Sequence, residues 1–228
     1  MSAVLAGARL ALGRLLRPRV AVGVALALAA VALGAALERR ISAARAADHA
    51  LTGVAFGLAL PLLAYGAWVQ VTVRSRLDRS LWELGRWGTP RRRTAVGLLA
   101  ATSLWLGICG AVLACAAVLI GRAVGDPALA RDLYTSGWIG LLGGVAYGCW
   151  FGCAATFGPR GGGRLLALLA DWVLGSGASV LAMPWPRGHL RNLLGAQPVL
   201  HMSQGAALAA VGVLGLAAAA VALWRVPD

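Results

Sequence analysis

The chain has 228 residues, of which 60% are hydrophobic, and a formal net charge of +13. A soluble domain is about 45–50% apolar, so this composition predicts an all-α integral membrane protein. All 21 basic residues are arginine and none is lysine, which excludes the lysine of a P-loop ATPase and any Schiff-base lysine. The arginines follow or precede apolar runs, where membrane anchoring explains them better than nucleic-acid binding.

The first predicted element is an amphipathic helix over residues 2–16. Its apolar face consists of Leu5, Ala8, Leu12 and Leu16. Because Arg9 and Arg14 lie apart from that face, we expect this helix to lie on the membrane surface and not to cross it. Residues 1–19 are therefore predicted to be a cytoplasmic surface segment, and residues 20–228 a transmembrane domain.

The transmembrane domain contains six apolar runs of membrane-spanning length. They cover residues 20–37, 51–73, 95–120, 137–157, 165–183 and 205–224. With both termini in the cytoplasm, the inner segments hold twice as many arginines as the outer ones, as the positive-inside rule requires. Pro61 removes a backbone donor from the second run, and we expect a kink there.

The arginine segment, residues 74–93, separates the second and third spans and carries seven arginines against two acids. Such a loop is costly to carry across a bilayer, which predicts a cytoplasmic position and orients the other spans. Leucines at helical spacing beside Trp82 and Trp87 predict a short amphipathic helix, which Thr89 and Pro90 end. Two interpretations stay open: a solvated loop that only sets topology, and a helix presented to a cytoplasmic partner.

The proline segment, residues 184–204, is neither a span nor an ordinary loop. Its three prolines break helices while its leucines supply an apolar face, which predicts a re-entrant or interface-lying segment on the outer side. His189 and His201 lie in it, twelve residues apart. That spacing is a weak indication of haem or metal ligands and is more typical of interface histidines.

A glycine ridge occurs in the fourth span at Gly140, Gly144, Gly148 and Gly152. A small residue at every fourth position lets two helices approach closely, either within one chain or between subunits. The pattern indicates packing and carries no chemistry.

Asp171 is the one acidic residue within a predicted span. An ionisable group inside a membrane is a functional candidate, for an ion or substrate pathway that would also include His189 and His201. The alternative is structural, since Asp171 lies about two turns from the inner end and could pair with Arg164 or Arg160.

No catalytic or metal-binding set is recognised, so we predict that the chain is not an enzyme and holds no cofactor. Ser176 and Ser179 lack the Gly-x-Ser-Gly setting of rhomboid-type proteases, and packing explains these small residues better. Cys149 and Cys153 share a helical face without a nearby histidine or acid, so buried apolar cysteines are favoured over a metal or redox site.

Taken together, the surface helix, the six spans and the two unusual segments resemble the membrane subunit of a type-2 ATP-binding-cassette exporter. The resemblance implies a bacterial cytoplasmic-membrane permease that pairs with a second permease subunit and with a separate ATPase, which would bind ATP and magnesium. It implies that the arginine segment docks that ATPase. The residues to which it gives this role are Arg76, Asp78, Arg79, Leu81, Trp82, Glu83 and Arg86.

Within that class, the chain is most similar to the small haem-exporter permease of cytochrome c maturation. The similarity lies in the pair Ser80-Leu81 followed by Leu84 and Pro90, and in the basic glycine turn at 160–163. The sequence departs from the family where Asp78-Arg79 replaces an acidic-glycine step. Two other functions stay open: an ion-coupled carrier that uses Asp171, and a membrane scaffold that transports nothing.

Overall fold

The structure is a computed structural model that describes residues 2–86, 88–123 and 128–227, without the side chains of Ala43 and Glu83. These residues form helices and turns, with no strand among them. The α-helices in chain order are α1 (Ala3–Leu15), α2 (Pro18–Ile41), α3 (Ala46–His49), α4 (Leu60–Val71), α5 (Leu77–Ser80), α6 (Trp82–Arg86), α7 (Arg91–Gly121), α8 (Leu129–Ala154), α9 (Gly163–Leu174), α10 (Pro186–Leu193) and α11 (Gln204–Trp224). The fold is all-α.

Five helices in the described part of the chain are long and apolar enough to cross a membrane, which identifies a multi-pass membrane protein. They are α2, the continuous helix Ala46–Val71, α7, α8 and α11. The helix Ala46–Val71 consists of α3, the π-helical stretch Ala50–Ala59 and α4. Pro61 lies just after the π-helical stretch, and its missing N–H is one reason for the local change of winding.

The predicted span at residues 165–183 differs from the structure. Helix α9 ends at Leu174 and its twelve residues extend only about 18 Å, short of the roughly 30 Å hydrocarbon core. The chain then makes turns at Gly175–Ser179 and a 3₁₀ turn at Val180–Ala182 before α10 begins. The prediction of one uninterrupted span there is therefore wrong.

Helices α7 and α8 form the centre of the bundle through the glycine ridge. A Cβ atom added at Gly140 or Gly144 would collide with the backbone of α7. At Gly148 it would lie 2.5 Å from the Cα atom of Ser103. The ridge therefore brings two helices of the same chain into backbone contact, which is the within-chain alternative.

One end of the bundle, here called the arginine end, is where α1, α4, α8 and α11 end and α7 and α9 begin. Helix α1 packs there on the first turns of α7, with Gly7 against the Thr94 carbonyl and Gly97 against the Val4 carbonyl. The buried residues of α1 are Ala6, Gly7, Ala11 and Leu15. Leu5, Leu12 and Leu16 of the predicted apolar face are exposed and not buried in the bundle. Their contact with a membrane surface stays a prediction.

Candidate functional site

The arginine segment leaves α4 through a sharp turn. Val73 and Arg74 both have positive φ angles, 51° and 55°, a conformation that non-glycine residues seldom adopt. The Arg74 N–H donates to the Val69 carbonyl at 3.0 Å, and the Leu77 N–H donates to the Ala155 carbonyl at 3.2 Å. The segment is thus tied to the ends of both α4 and α8.

Two buried leucines fix the segment on the bundle. Leu77 and Leu81 have no exposed surface, although the segment lies at the edge of the fold. The predicted single helix is divided at Leu81 into α5 and α6. Because Leu81 faces the core, it anchors the segment and offers no surface to a partner.

The opposite face of the segment is exposed and cationic. Arg79, Trp82 and Arg86 are exposed, and the Arg91 guanidinium lies 4.6 Å from the centre of the Trp82 ring. Arg76 and Asp78, which belong to the same predicted set, form an ion pair of 3.1 Å with each other. The Glu83 side chain and Trp87 lie outside the described residues.

Arg164 connects the end of α4, where the arginine segment begins, to α9, a role that the sequence analysis does not predict. Its guanidinium donates to the Thr72 hydroxyl, to the Trp68 carbonyl at 3.2 Å and to the Arg160 carbonyl at 3.0 Å. A cation is favourable at the carbonyl end of a helix, here α4. The basic residue two turns before Asp171 suggested a pair between them, but the structure gives Arg164 these partners instead.

Asp171 joins three helices in the interior of the bundle. It has no exposed surface. It accepts hydrogen bonds from the Tyr147 hydroxyl of α8 at 2.8 Å and from the Arg187 backbone N–H at 3.3 Å. The second bond places the carboxylate at the N-terminus of α10, where backbone N–H groups lack partners within their own helix. Neither Tyr147 nor Arg187 is near Asp171 in sequence, so no local sequence pattern predicts that they are its hydrogen-bond partners.

Arg187 closes the break between α9 and α10. Its guanidinium donates to the Trp172 carbonyl at 3.3 Å, one of the carbonyls that the last turn of α9 leaves without a helical partner. It also lies beside Gly57 in the π-helical stretch, where an added Cβ would be 3.1 Å from an Nη atom of Arg187. Gly57 thus provides the space that the guanidinium occupies.

The two histidines of the proline segment have different settings. His189 is buried, and its Nε2 atom lies 2.7 Å from the Met183 carbonyl. His201 is exposed and has a φ angle of 57°. Asp171 and His189 share no hydrogen-bond partner. The three predicted pathway residues, Asp171, His189 and His201, are therefore not joined into one cluster by these hydrogen bonds. Among the described residues, no three His, Cys, Asp or Glu side chains come together as a metal site.

Ser176, which was weighed above as a protease serine, is bonded to groups of the α9–α10 region. The Ser176 hydroxyl donates to the Val173 carbonyl at 3.2 Å, and Arg191 donates to the Ser176 carbonyl. These contacts cap the end of α9, and neither of them joins Ser176 to a histidine, the partner that the nucleophile of a serine hydrolase has.

Comparisons with known proteins place the chain in no family. No family model matches it, and neither a curated protein nor a solved structure is significantly similar to it.

Proposed function

We propose that the protein is the permease subunit of an ATP-binding-cassette exporter in the bacterial cytoplasmic membrane. The observation that carries the proposal is the arginine segment, with its base buried and its face exposed. A partner ATPase that binds ATP and magnesium would dock on Arg79, Trp82 and Arg86, and the permease itself would hydrolyse nothing.

A coupling element has to transmit force, so it must be rigid at its base. The buried leucines Leu77 and Leu81 and the hydrogen bond to Ala155 provide that rigidity. Arg76 and Asp78 would stabilise the segment through their own ion pair, with little left for the partner. Positive charge near the membrane surface also favours the cytoplasmic side for the arginine end.

A physical route leads from this segment to the middle of the bundle. Arg164 holds the first turn of α9 against the end of α4, and Asp171, seven residues further, holds α9 against the start of α10. Movement of the arginine end would therefore be passed to the break between α9 and α10. We infer that these two half-helices together make the sixth crossing, with the proline segment re-entering the bundle from the outer side.

The pathway itself would form between two such subunits. The glycine ridge is already used inside the chain, so it is not the seam between subunits. Of the five candidate spans, α2 has the smallest share of its residues buried. We therefore assign the subunit seam to α2.

The test is copurification from native membranes in a mild detergent, with mass spectrometry of the bound proteins and an ATPase assay. We expect a stoichiometric ATP-binding-cassette subunit, and its loss in the double variant Arg79→Glu, Arg86→Glu. The matched control is the double variant Arg17→Glu, Arg19→Glu. It reverses the charge of two exposed arginines that are predicted to be cytoplasmic but lie outside the proposed docking face of the arginine segment.

Other results would contradict the proposal. A lone oligomer without ATPase activity would favour the ion-coupled carrier if Asp171→Asn abolished transport, and the scaffold if it did not. Equal loss of the ATPase in both double variants would assign the arginines to membrane topology and not to docking.

A further inference from the structure

A slot runs along the membrane-facing side of the bundle between α8 and α9. Its volume is about 390 Å³. Its wall residues include Trp150 and Cys153 of α8, Phe157 in the turn after α8, Leu166 and Ala170 of α9, and Trp185 just before α10. Leu166 is 69% exposed, so the slot opens sideways towards the lipid. Because these walls are apolar, its occupant must be largely hydrocarbon.

Two indole groups of the slot lack a hydrogen-bond partner in the described part of the chain. The Nε1 atoms of Trp150 and Trp185 are buried, and no described residue accepts from either. The two rings meet edge to face with their centres 5.5 Å apart. An indole N–H is only a donor, and a buried donor without an acceptor is costly. The occupant should therefore carry an acceptor such as a carbonyl.

The arginine end of the slot carries a cation. The Arg225 guanidinium lies 4.1 Å from the centre of the Phe157 ring, and Phe157 is part of the wall. The Nε atom of Arg225 is buried without a partner among the described residues, and no ion pair between those residues includes Arg225. An anionic group beside Phe157 would complete this arrangement by charge and by hydrogen bonding.

We propose that the slot binds an anionic phospholipid of the bilayer. The phosphate group lies at Arg225, one acyl chain follows α9 along Leu166 and Ala170, and an ester carbonyl is the acceptor that the lipid brings to the indoles. This site is separate from the arginine segment, so the inference does not rest on the exporter proposal.

The first test uses the tryptophans as probes. Purified protein in detergent is titrated with brominated phosphatidylglycerol or brominated phosphatidylcholine, and quenching of tryptophan fluorescence is recorded. We expect a saturable component at lower concentration of phosphatidylglycerol, reduced in Trp150→Phe and Trp185→Phe. Trp138→Phe, an exposed position of α8 outside the slot wall, should leave that component unchanged.

The second test removes the charge. Arg225→Gln should weaken the saturable binding of phosphatidylglycerol about fivefold, the usual effect of one cation near an anionic lipid, and bring it near that of phosphatidylcholine. Arg131→Gln, an exposed arginine in the first turn of α8, is the control. Ala170→Phe fills the slot without changing charge and should abolish saturable quenching.

Three results would overturn the proposal. They are equal quenching by the two lipids, an Arg225→Gln variant with unchanged preference, and a slot-filling variant that still shows the saturable component. If Arg225→Gln does not fold, native mass spectrometry of the unaltered protein decides, because the proposal requires retained phosphatidylglycerol and fails without it.

Discussion

The arginine segment and the proline segment connect helices with chains of about the same length, yet they use their polar residues in opposite ways. The arginine segment buries leucines and exposes Arg79 and Arg86. The proline segment buries His189 and Asn192 and directs Arg187 to a backbone carbonyl. One segment presents its charges outwards, and the other uses its polar side chains inside the protein.

The difference follows from where each backbone lies. In the arginine segment, short helices and nearby hydroxyl groups supply the hydrogen bonds that the backbone needs. One example is the 2.7 Å bond from the Ser80 hydroxyl to the Leu77 carbonyl. In the proline segment, irregular backbone packs inside the bundle, where its carbonyls need donors. Asn192 therefore donates to the Met202 carbonyl at 2.9 Å. The type of residue does not decide its role here; the surroundings of the backbone do.

The largest expected effect is at the buried base of the arginine segment. Leu81→Ala removes a fully buried side chain and should lower the free energy of unfolding by about 2–5 kcal/mol. Because the segment should also loosen, trypsin should cleave faster at Arg79 and Arg86. Leu104→Ala, at a 57% exposed position of α7, is the control, and equal cleavage rates in both variants would contradict the anchoring role.

A smaller loss is expected at the joint that holds the proline segment. Asp171→Ala leaves the buried Tyr147 hydroxyl without its acceptor and should cost about 2–3 kcal/mol, measured as a lower thermal unfolding midpoint in detergent. Asp171→Asn keeps one acceptor oxygen and should cost less. A midpoint for Asp171→Ala equal to that of the unaltered protein would show that the joint adds no stability.

The same substitution in the two segments gives the most direct comparison. Arg187→Gln loses the bond to Trp172 inside the bundle and should cost about 1–2 kcal/mol. Arg86→Gln, at an exposed position, should stay within about 0.5 kcal/mol. Thermal unfolding of both variants under identical conditions measures the difference, and equal losses would remove the distinction between the two segments.

Some of this arrangement could be predicted from the sequence because it depends on local patterns. Five of the predicted spans coincide with helices since their apolar runs are uninterrupted by charge. The glycine ridge was expected to mediate close packing, and it does. The leucines of the arginine segment indicated an apolar face, although not that Leu81 would lie beneath the surface.

The remainder depends on contacts between distant parts of the chain. The break after Leu174 lies inside a run that is apolar enough to continue, and membrane helices tolerate glycine, so composition did not reveal it. The partners of Asp171, Tyr147 and the Arg187 N–H, are 24 and 16 residues away. In α1 the leucine pattern did not indicate the buried face, which consists mainly of small residues that allow close helix contact.

The contact between α1 and α7 has a consequence for the order of assembly. Gly7 packs beside Thr94, and Gly97 beside Val4, so α1 leaves the ribosome about ninety residues before the helix on which it packs. At about 5–20 residues per second, that delay is roughly 5–20 s. During this time the small-residue face of α1 is uncovered, while Leu5, Leu12 and Leu16 would hold the helix on the membrane surface until α7 is made. Helix α1 is thus made well before α7 and packed late.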